Sequence, residues 1–454
     1  MKKSLIIISM ILFIILIAQF IIPAVFNVNN IFLKNDTENS AVPTSVPTNT
    51  PAATPEITSE PTPEPTDTPE PMPQYTNIVL GFGGDIIAHE QILESAKKYD
   101  NGKKYYTFEN IFKYIKPAFD YADFMIANLE SPIAGASAGY SAYPSLTFNF
   151  PDEILDALKY SGIDMVLNAN NHAADKNVDG IYRTLDMLDS AEIMHTGAWR
   201  SEEEREVPTV IDVKGIKIGI VSATFSLNGR EAYISQNTLD YLVCFLDEQQ
   251  VKKQINLCKE YGAELVIVCP HMGDEYQQYT REGFRNYGTA YISMGADIVI
   301  AHHPHVLQSS ELVSTFTPEG NPVEGLCFWS IGNLMHNQVS LYSDFDKEAR
   351  ETGIILYLNI QKDNYTGEVT IESLEYLPVW MLRRTDFNPR LYAVLPAGNE
   401  IDFTAPPYDE LPLSKSNFYS LERAWNVAIK QVGTEYATPL SKIPTRENAE
   451  TSDN

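Results

Sequence analysis

The sequence predicts an α/β domain from about residue 75 to residue 396, and three observations carry that expectation. Short apolar runs alternate with amphipathic stretches throughout the region, as strands separated by helices do. Most of the early runs end in polar residues able to do chemistry. Two later runs, "GIILYLNI" and "EVTIESLEYLPV", alternate strictly enough to read as antiparallel strands.

In chain order, the first element is "MKK" followed by an uncharged stretch from Ser4 to Phe26. As a helix it is long enough to cross a bilayer core of ~30 Å, and it exceeds the ~7–15 residues of a cleavable signal's apolar part. Lys2 and Lys3 then stay in the cytoplasm and the following chain is sent across. Residues 1–34 are therefore expected to form a cytoplasmic tip and a single-pass transmembrane helix in the cell membrane, with the main domain extracytoplasmic; a cleaved signal is the alternative. Residues 35–74 are rich in Pro, Thr and Glu and nearly free of large apolar side chains. Such a segment buries too little surface to fold and reads as a disordered, extended stalk.

Within 75–396 the expected strands are "NIVLGFG", "DFMIANL", "DMVLNAN", "IKIGIVSA", "LVIVCP", "DIVIAH" and "LCFWSIGN". Helices are expected near Ala88–Tyr99, Phe108–Asp120, Asp152–Ser161, Val178–Asp189, Glu248–Tyr261 and Arg281–Met294. Residues 397–454 form a C-terminal extension whose last stretch, "SKIPTRENAETSDN", reads as a disordered tail.

The net charge is −27, and the first 75 residues hold only three basic against seven acidic residues, which leaves 30 against 53 for the rest. An exterior that acidic repels nucleic acid and anionic lipid headgroups. Four cysteines, Cys244, Cys258, Cys269 and Cys327, are too sparse for a disulfide scaffold. Cys269 and Cys327 sit in apolar runs and read as core thiols, with room for one bridge outside the cell.

The strand ends carry Asp85, then Asn128 and Glu130, then Asn170, Asn171 and His172, then His271, then His302, His303 and His305, then Asn333. Ligands of α/β sheets bind at the carboxyl edge of the strands, so these residues are placed to converge. Singly, each has an ordinary reading: Asp85 as a helix cap, Asn171 and His172 as turn residues, Glu130 as a solvated charge. Together they read as a metal site. Carboxylate, amide and imidazole donors without thiolate suit Mn, Fe or Zn, as one or two ions.

The segments "GDIIAHE", "NLESP", "NNHAADKNVDG", "HMGDEYQ", "AHHPHVLQ" and "SIGNLMHNQ" resemble, in order and rough spacing, the capsule-synthesis CapA family associated with bacterial poly-γ-glutamate. That family looks like a divergent branch of the calcineurin-like metallophosphoesterases. The resemblance implies an αββα sandwich of two mixed sheets flanked by helices. It also implies that Asp85, Glu130, Asn171, His271, His303 and His305 are metal ligands, and that His172 is the acid protonating a leaving group, its ring oriented by Asp175. His89, His195, Glu275, Tyr276, His302 and Asn333 are weaker expectations as residues lining the substrate. The sequence departs from the metallophosphoesterase pattern at Ile87, where the usual Asp-x-His has its histidine, and at Ala173, where an acidic residue usually follows.

The functional expectation is a membrane-anchored protein acting on poly-γ-glutamate or a related anionic envelope polymer, in synthesis, export or processing, with a hydrolase- or transferase-like metal site. A membrane synthase or export complex is the expected partner, and nucleic acid is not. A surface phosphoesterase or nucleotidase for a small substrate, and a non-enzymatic metal-stabilised polymer-binding scaffold, stand as alternatives.

Overall fold

The computed structural model describes residues 74–142, 145–339 and 350–445. The expected membrane helix, and all of the stalk but Gln74, lie outside the described residues. Among those residues no helix is long and apolar enough to cross a membrane.

The strands are β1 (Tyr75–Ile86), β2 (Lys97–Asp100), β3 (Lys103–Tyr106), β4 (Phe124–Leu129), β5 (Met165–Leu167), β6 (Met194–Thr196), β7 (Val210–Val213), β8 (Ile216–Thr224) and β9 (Leu265–His271). They continue with β10 (Ile298–Ile300), β11 (Ser310–Phe316), β12 (Pro322–Phe328), β13 (Asn333–Met335), β14 (Thr352–Asp363), β15 (Val369–Arg384), β16 (Leu391–Pro396) and β17 (Thr438–Pro439). One sheet runs β16-β15-β14-β1-β4-β5-β6, with β13 beside β1 and β17 beside β15. The other runs β11-β12-β10-β9-β8-β7. Both are mixed: β1, β4, β5 and β6 are parallel, as are β8, β9, β10 and β12, while β14, β15 and β16 and the outer strands β7 and β11 join antiparallel.

Side-chain alternation explains the layering. On β14, Ile354, Leu356 and Leu358 enter one core while Ile355 and Tyr357 enter another, as a period of two requires of a strand buried on both faces. Leu80, Phe82 and Ile126 of the first sheet pack between the sheets with Ile218, Ile220, Ile267, Ile298 and Phe328 of the second. Outside the first sheet lie helices Glu90–Ala96, Glu109–Phe112 and Ile154–Ser161, through Ile92, Phe112 and Leu158. Outside the second lie Glu248–Glu260 and Glu282–Ser293, through Val251, Ile255, Tyr291 and Ile292. The result is an α-β-β-α sandwich.

Several local expectations are corrected. The helix expected over Ala88–Tyr99 ends at Ala96, because Asn101 and Gly102, both in the left-handed region, turn the chain into the β2–β3 hairpin. The helix expected over Phe108–Asp120 is two short helices, Glu109–Phe112 and Lys116–Phe119. The strand expected through "LCFWSIGN" stops at Phe328, and Asn333–Met335 joins the other sheet. The C-terminal extension contains a helix, Lys415–Val432, opened by a reciprocal Ser414–Asn417 capping box and packed on β14 and β15. Of the expected tail, Ser441 accepts from the Glu400 amide and Ile443 packs on the core, while residues 446–454 lie outside the described residues. All four cysteines are buried and free.

Candidate metal centre

Asp85 lies near the end of β1, in register with Asn128 on β4 and Asn333 on β13. Gly84 permits this closeness, since a Cβ there would stand 2.1 Å from the Gly332 carbonyl oxygen. Glu130 follows β4, its amide donating to the Ile86 carbonyl at 3.0 Å. Past β5, the Asn170 side chain donates to the Leu129 carbonyl at 2.9 Å and its Oδ1 accepts from the His172 amide at 3.2 Å. That turn aims Asn171 and His172 at the same space. From the second sheet, His271 ends β9, and His303 and His305 follow β10 in left-handed backbone (φ 98° and 57°). Such conformations are costly for non-glycine residues and cluster at functional sites.

These side chains meet. His271 Nε2 lies 2.8 Å from Asn171 Oδ1, 3.2 Å from His303 Nδ1 and 3.4 Å from Glu130 Oε1. His305 Nε2 lies 3.7 Å from the same Glu130 oxygen, and its Nδ1 is 3.2 Å from Asp85 Oδ2. Two donor sets, Glu130 with His303 and His305, and Asp85 with Glu130 and His271, each fall within 4.8 Å. Glu130 belongs to both, as a carboxylate shared by two ions would.

Burial of the cluster shifts its protonation. Burial pushes the His271 imidazole far below its usual range, and proximity to His303 adds to this. His303 is pushed down to about 3, by burial and then by His305. Burial raises Glu130 well above the ordinary carboxylate range, and the Asp85 charge raises it further. For Asp85, burial also pushes upward, but the His305 hydrogen bond and the neighbouring imidazoles outweigh it and hold the group low. Both Glu130 oxygens are buried without any hydrogen-bond donor. Carboxyl oxygens without a donor, facing the imidazoles of His271 and His305, fit a cation: the six residues Asp85, Glu130, Asn171, His271, His303 and His305 supply O and N donors and lack only positive charge.

His172 is the most exposed imidazole here, at 9%, against 1% for His271, 4% for His303 and 3% for His305. Its Nδ1 lies 2.8 Å from Asp175 Oδ2, which also accepts from the Phe148 amide at 2.6 Å. Asp175 Oδ1 is 3.5 Å from Arg230 Nε, and the Phe148 ring packs 4.4 Å from the His172 ring. The tether leaves Nε2 as the atom for proton exchange.

The expected lining residues divide. Tyr276 stands 6.0 Å from the His305 ring, and exposed Glu275 is close enough for its charge to raise Glu130. His302 and Asn333 do not line a surface: His302 is buried with Nε2 3.4 Å from the Gly83 carbonyl, and Asn333 braces His305, its Oδ1 3.0 Å from Nδ1. The Nδ1 of His89 accepts from the Asn337 amide at 3.2 Å, its ring lies 5.3 Å from that of Phe148, and it belongs to neither donor set. His195 pairs with Asp189 at 3.0 Å, in a surface cluster with Arg200. Sequence reasoning placed Asn128 among the converging strand ends but not among the ligands or lining residues; its side chain donates to Asp85 Oδ1 at 2.7 Å and lies 3.3 Å from His271 Nδ1. Nor did it single out Phe148, Arg230, Arg350 or Phe225, whose ring packs 4.8 Å from that of His303; these lie in segments without pattern.

A family model described as bacterial capsule synthesis protein PGA_cap matches residues 79–338. The capsule biosynthesis protein CapA of Bacillus anthracis is 25% identical over 266 residues, 56% of this chain and 59% of that protein. The PGA biosynthesis protein CapA of Bacillus subtilis (strain 168) is 27% identical over 232 residues, 51% of this chain and 57% of that protein. The matches thus span less than two thirds of either relative's length. Among solved structures, the calcineurin-like phosphoesterase YfkN from Bacillus subtilis aligns with TM-score 0.37 and 13% identity, over 67% of this chain and 90% of that chain. A score that low fixes no fold.

Proposed function

The chain belongs to the bacterial capsule synthesis PGA_cap family, whose model takes in residues 79–338 and so more than half of it, and from that premise we propose a metal-dependent hydrolase or transferase with a metallophosphoesterase-like site. Its substrate is poly-γ-glutamate or a related carboxylate-rich envelope polymer. It works outside the cytoplasm, held by an N-terminal anchor beside a membrane synthase or export complex. The observation that carries the chemistry is Glu130, whose buried oxygens lack any donor and face imidazoles from the other sheet.

A bound divalent first-row ion supplies Lewis acidity toward a carbonyl or phosphoryl oxygen and toward water. Asp85, Glu130, Asn171, His271, His303 and His305 would hold it. His172 Nε2 delivers a proton to the leaving group, while Asp175 fixes the tautomer through Nδ1 and the Phe148 ring limits rotation. The test is metal analysis of the purified chain joined to a hydrolysis screen over poly-γ-glutamate and a generic phosphoester, for wild type and His172→Ala. Chelator-sensitive turnover lost in His172→Ala supports the reading, whereas a metal-free chain, or turnover indifferent to His172, refutes it. Turnover of the phosphoester alone would favour a small-substrate phosphoesterase.

One observation favours a second reading. Ile87 stands where the metallophosphoesterase pattern has a histidine, and His89 belongs to neither donor set. A metal-stabilised scaffold that binds polymer without cleaving it fits that departure. It predicts polymer binding that survives His172→Ala.

A further inference from the structure

An acidic protein that handles an acidic polymer needs positive charge near the reacting atoms. Several arginines of the domain are already committed. Arg230 faces Asp175, Arg281 pairs with Asp274, Arg383 with Glu351, and Arg384 with Asp386. Arg350 differs: no carboxylate among the described residues pairs with it, and its Nε is buried without an acceptor.

Its placement ties it to the donors by two routes. The guanidinium lies 3.8 Å from the centroid of the Tyr276 ring, and that ring is 6.0 Å from the His305 imidazole. Tyr276 is itself fixed, in left-handed backbone (φ 64°), with its amide donating to the Pro304 carbonyl at 2.8 Å. The second route is Asn333, which donates to the Arg350 carbonyl at 3.4 Å while its Oδ1 meets His305 Nδ1 at 3.0 Å. A guanidinium stacked on an aromatic face keeps its in-plane N–H groups for an anion and loses less freedom on binding one.

We propose that Arg350, stacked on Tyr276, forms a subsite for a carboxylate of the polymer, next to the His303–His305 side of the metal donors. This rests on the polymer reading above. The planar fork of the guanidinium matches a carboxylate through two parallel N–H···O bonds. The side-chain carboxylate of a γ-linked glutamate residue is held here while the neighbouring bond reaches the donors. Arg350 is then a positioning and specificity residue, not a reacting one.

The test is calorimetric titration of the detergent-solubilised full chain with a γ-linked glutamate pentamer, the same pentamer amidated on its side chains, and a glycerol-phosphate oligomer. Charge-assisted hydrogen bonds contribute about 1.5–3 kcal/mol, so Arg350→Gln should weaken the pentamer by about 10- to 100-fold. Arg350→Lys should recover part of the loss, and the amidated pentamer should be indifferent to either change. Arg281→Gln, a surface charge removal, controls for general electrostatics, and unchanged Mn²⁺ affinity shows that a variant is folded. Equal pentamer affinity in Arg350→Gln, no pentamer binding by wild type, an equal loss for the amidated pentamer, or Arg350-dependent binding of the phosphate oligomer alone each overturns the carboxylate subsite. If the pentamer binds through Arg350 but is never cleaved, the subsite stands and the hydrolase reading falls.

Discussion

Substituting Glu130 by Gln separates a metal ligand from a structural ion pair, because the two roles predict opposite signs in the metal-free protein. The side chain is fully buried, neither oxygen has a donor, and its carboxyl is raised well above the ordinary range by burial and then by Asp85. A buried, unsatisfied polar group costs about 1–3 kcal/mol, more when charged. Glu130→Gln removes the charge and keeps the shape, so with chelator the variant should melt no lower than wild type. A structural partner of His271 and His305 would instead cost about 3–5 kcal/mol on removal. With Mn²⁺ at about 100 times its dissociation constant, wild type should gain about 2.7 kcal/mol. At about 2 °C per kcal/mol for a large domain, that is a rise of roughly 5 °C, and the variant should show none of it. The assay is thermal unfolding with and without metal, beside metal analysis. A variant that melts several degrees lower in chelator yet keeps the full metal shift would refute the reasoning.

Three further outcomes follow from the same geometry. His172→Ala should lower turnover by about 10²–10⁴-fold while leaving Mn²⁺ affinity within about twofold, since the ring works by proton transfer; Asp175→Asn should lose less, and steady-state kinetics beside metal titration checks both. His303 is pushed down to about 3 from 6.5, so between those values the unfolded chain binds a proton that the fold refuses. The metal-free protein should therefore lose stability as pH falls below about 6.5. Glu130, raised by burial, opposes this by shedding its penalty in acid, so Glu130→Gln should show a steeper acid loss in denaturant titrations from pH 7.5 to 5, and parallel profiles would contradict the assignment. Gly84→Ala would drive a Cβ to 2.1 Å from the Gly332 oxygen. Overpacking of that kind costs about 1–3 kcal/mol or more, and it should part β1 from β13 and weaken metal binding along with the melting point.

The donors were legible because each stands at the end of an apolar run, where α/β topology gathers side chains, and that logic fails where a turn decides direction. His302 and His303 are neighbours in one run, yet His302 points under the site to Gly83 while the left-handed backbone at His303 turns its ring to His271. His195 also sits near a strand end, but Asp189 on the helix Asn177–Ser190 captures its ring. The β2–β3 hairpin did leave a sign, Asn101-Gly102, which the apolar spacing before it outweighed. The helix Lys415–Val432 lay beyond the strand–helix alternation, and its Ser414–Asn417 box was its local signal. Arg350 and Phe148 left none, because residues outside the apolar runs carry no readable period and gain their role only from what folds beside them.

The division of donors between the sheets explains why one set of residues should govern both metal affinity and stability. The first sheet contributes Asp85, Glu130 and Asn171, two carboxyls and an amide; the second contributes the imidazoles of His271, His303 and His305, of which burial holds His271 and His303 neutral. The first group alone gathers like charge, and the second alone offers lone pairs with no charge to match. Docking the sheets through their shared apolar core brings the halves together and leaves Glu130 uncompensated. A divalent ion is the species that satisfies both halves at once, so its binding free energy adds to the docking of one sheet on the other. Substitutions in either half should then lower metal-dependent stability by similar amounts, although the two halves stand a hundred or more positions apart in the chain.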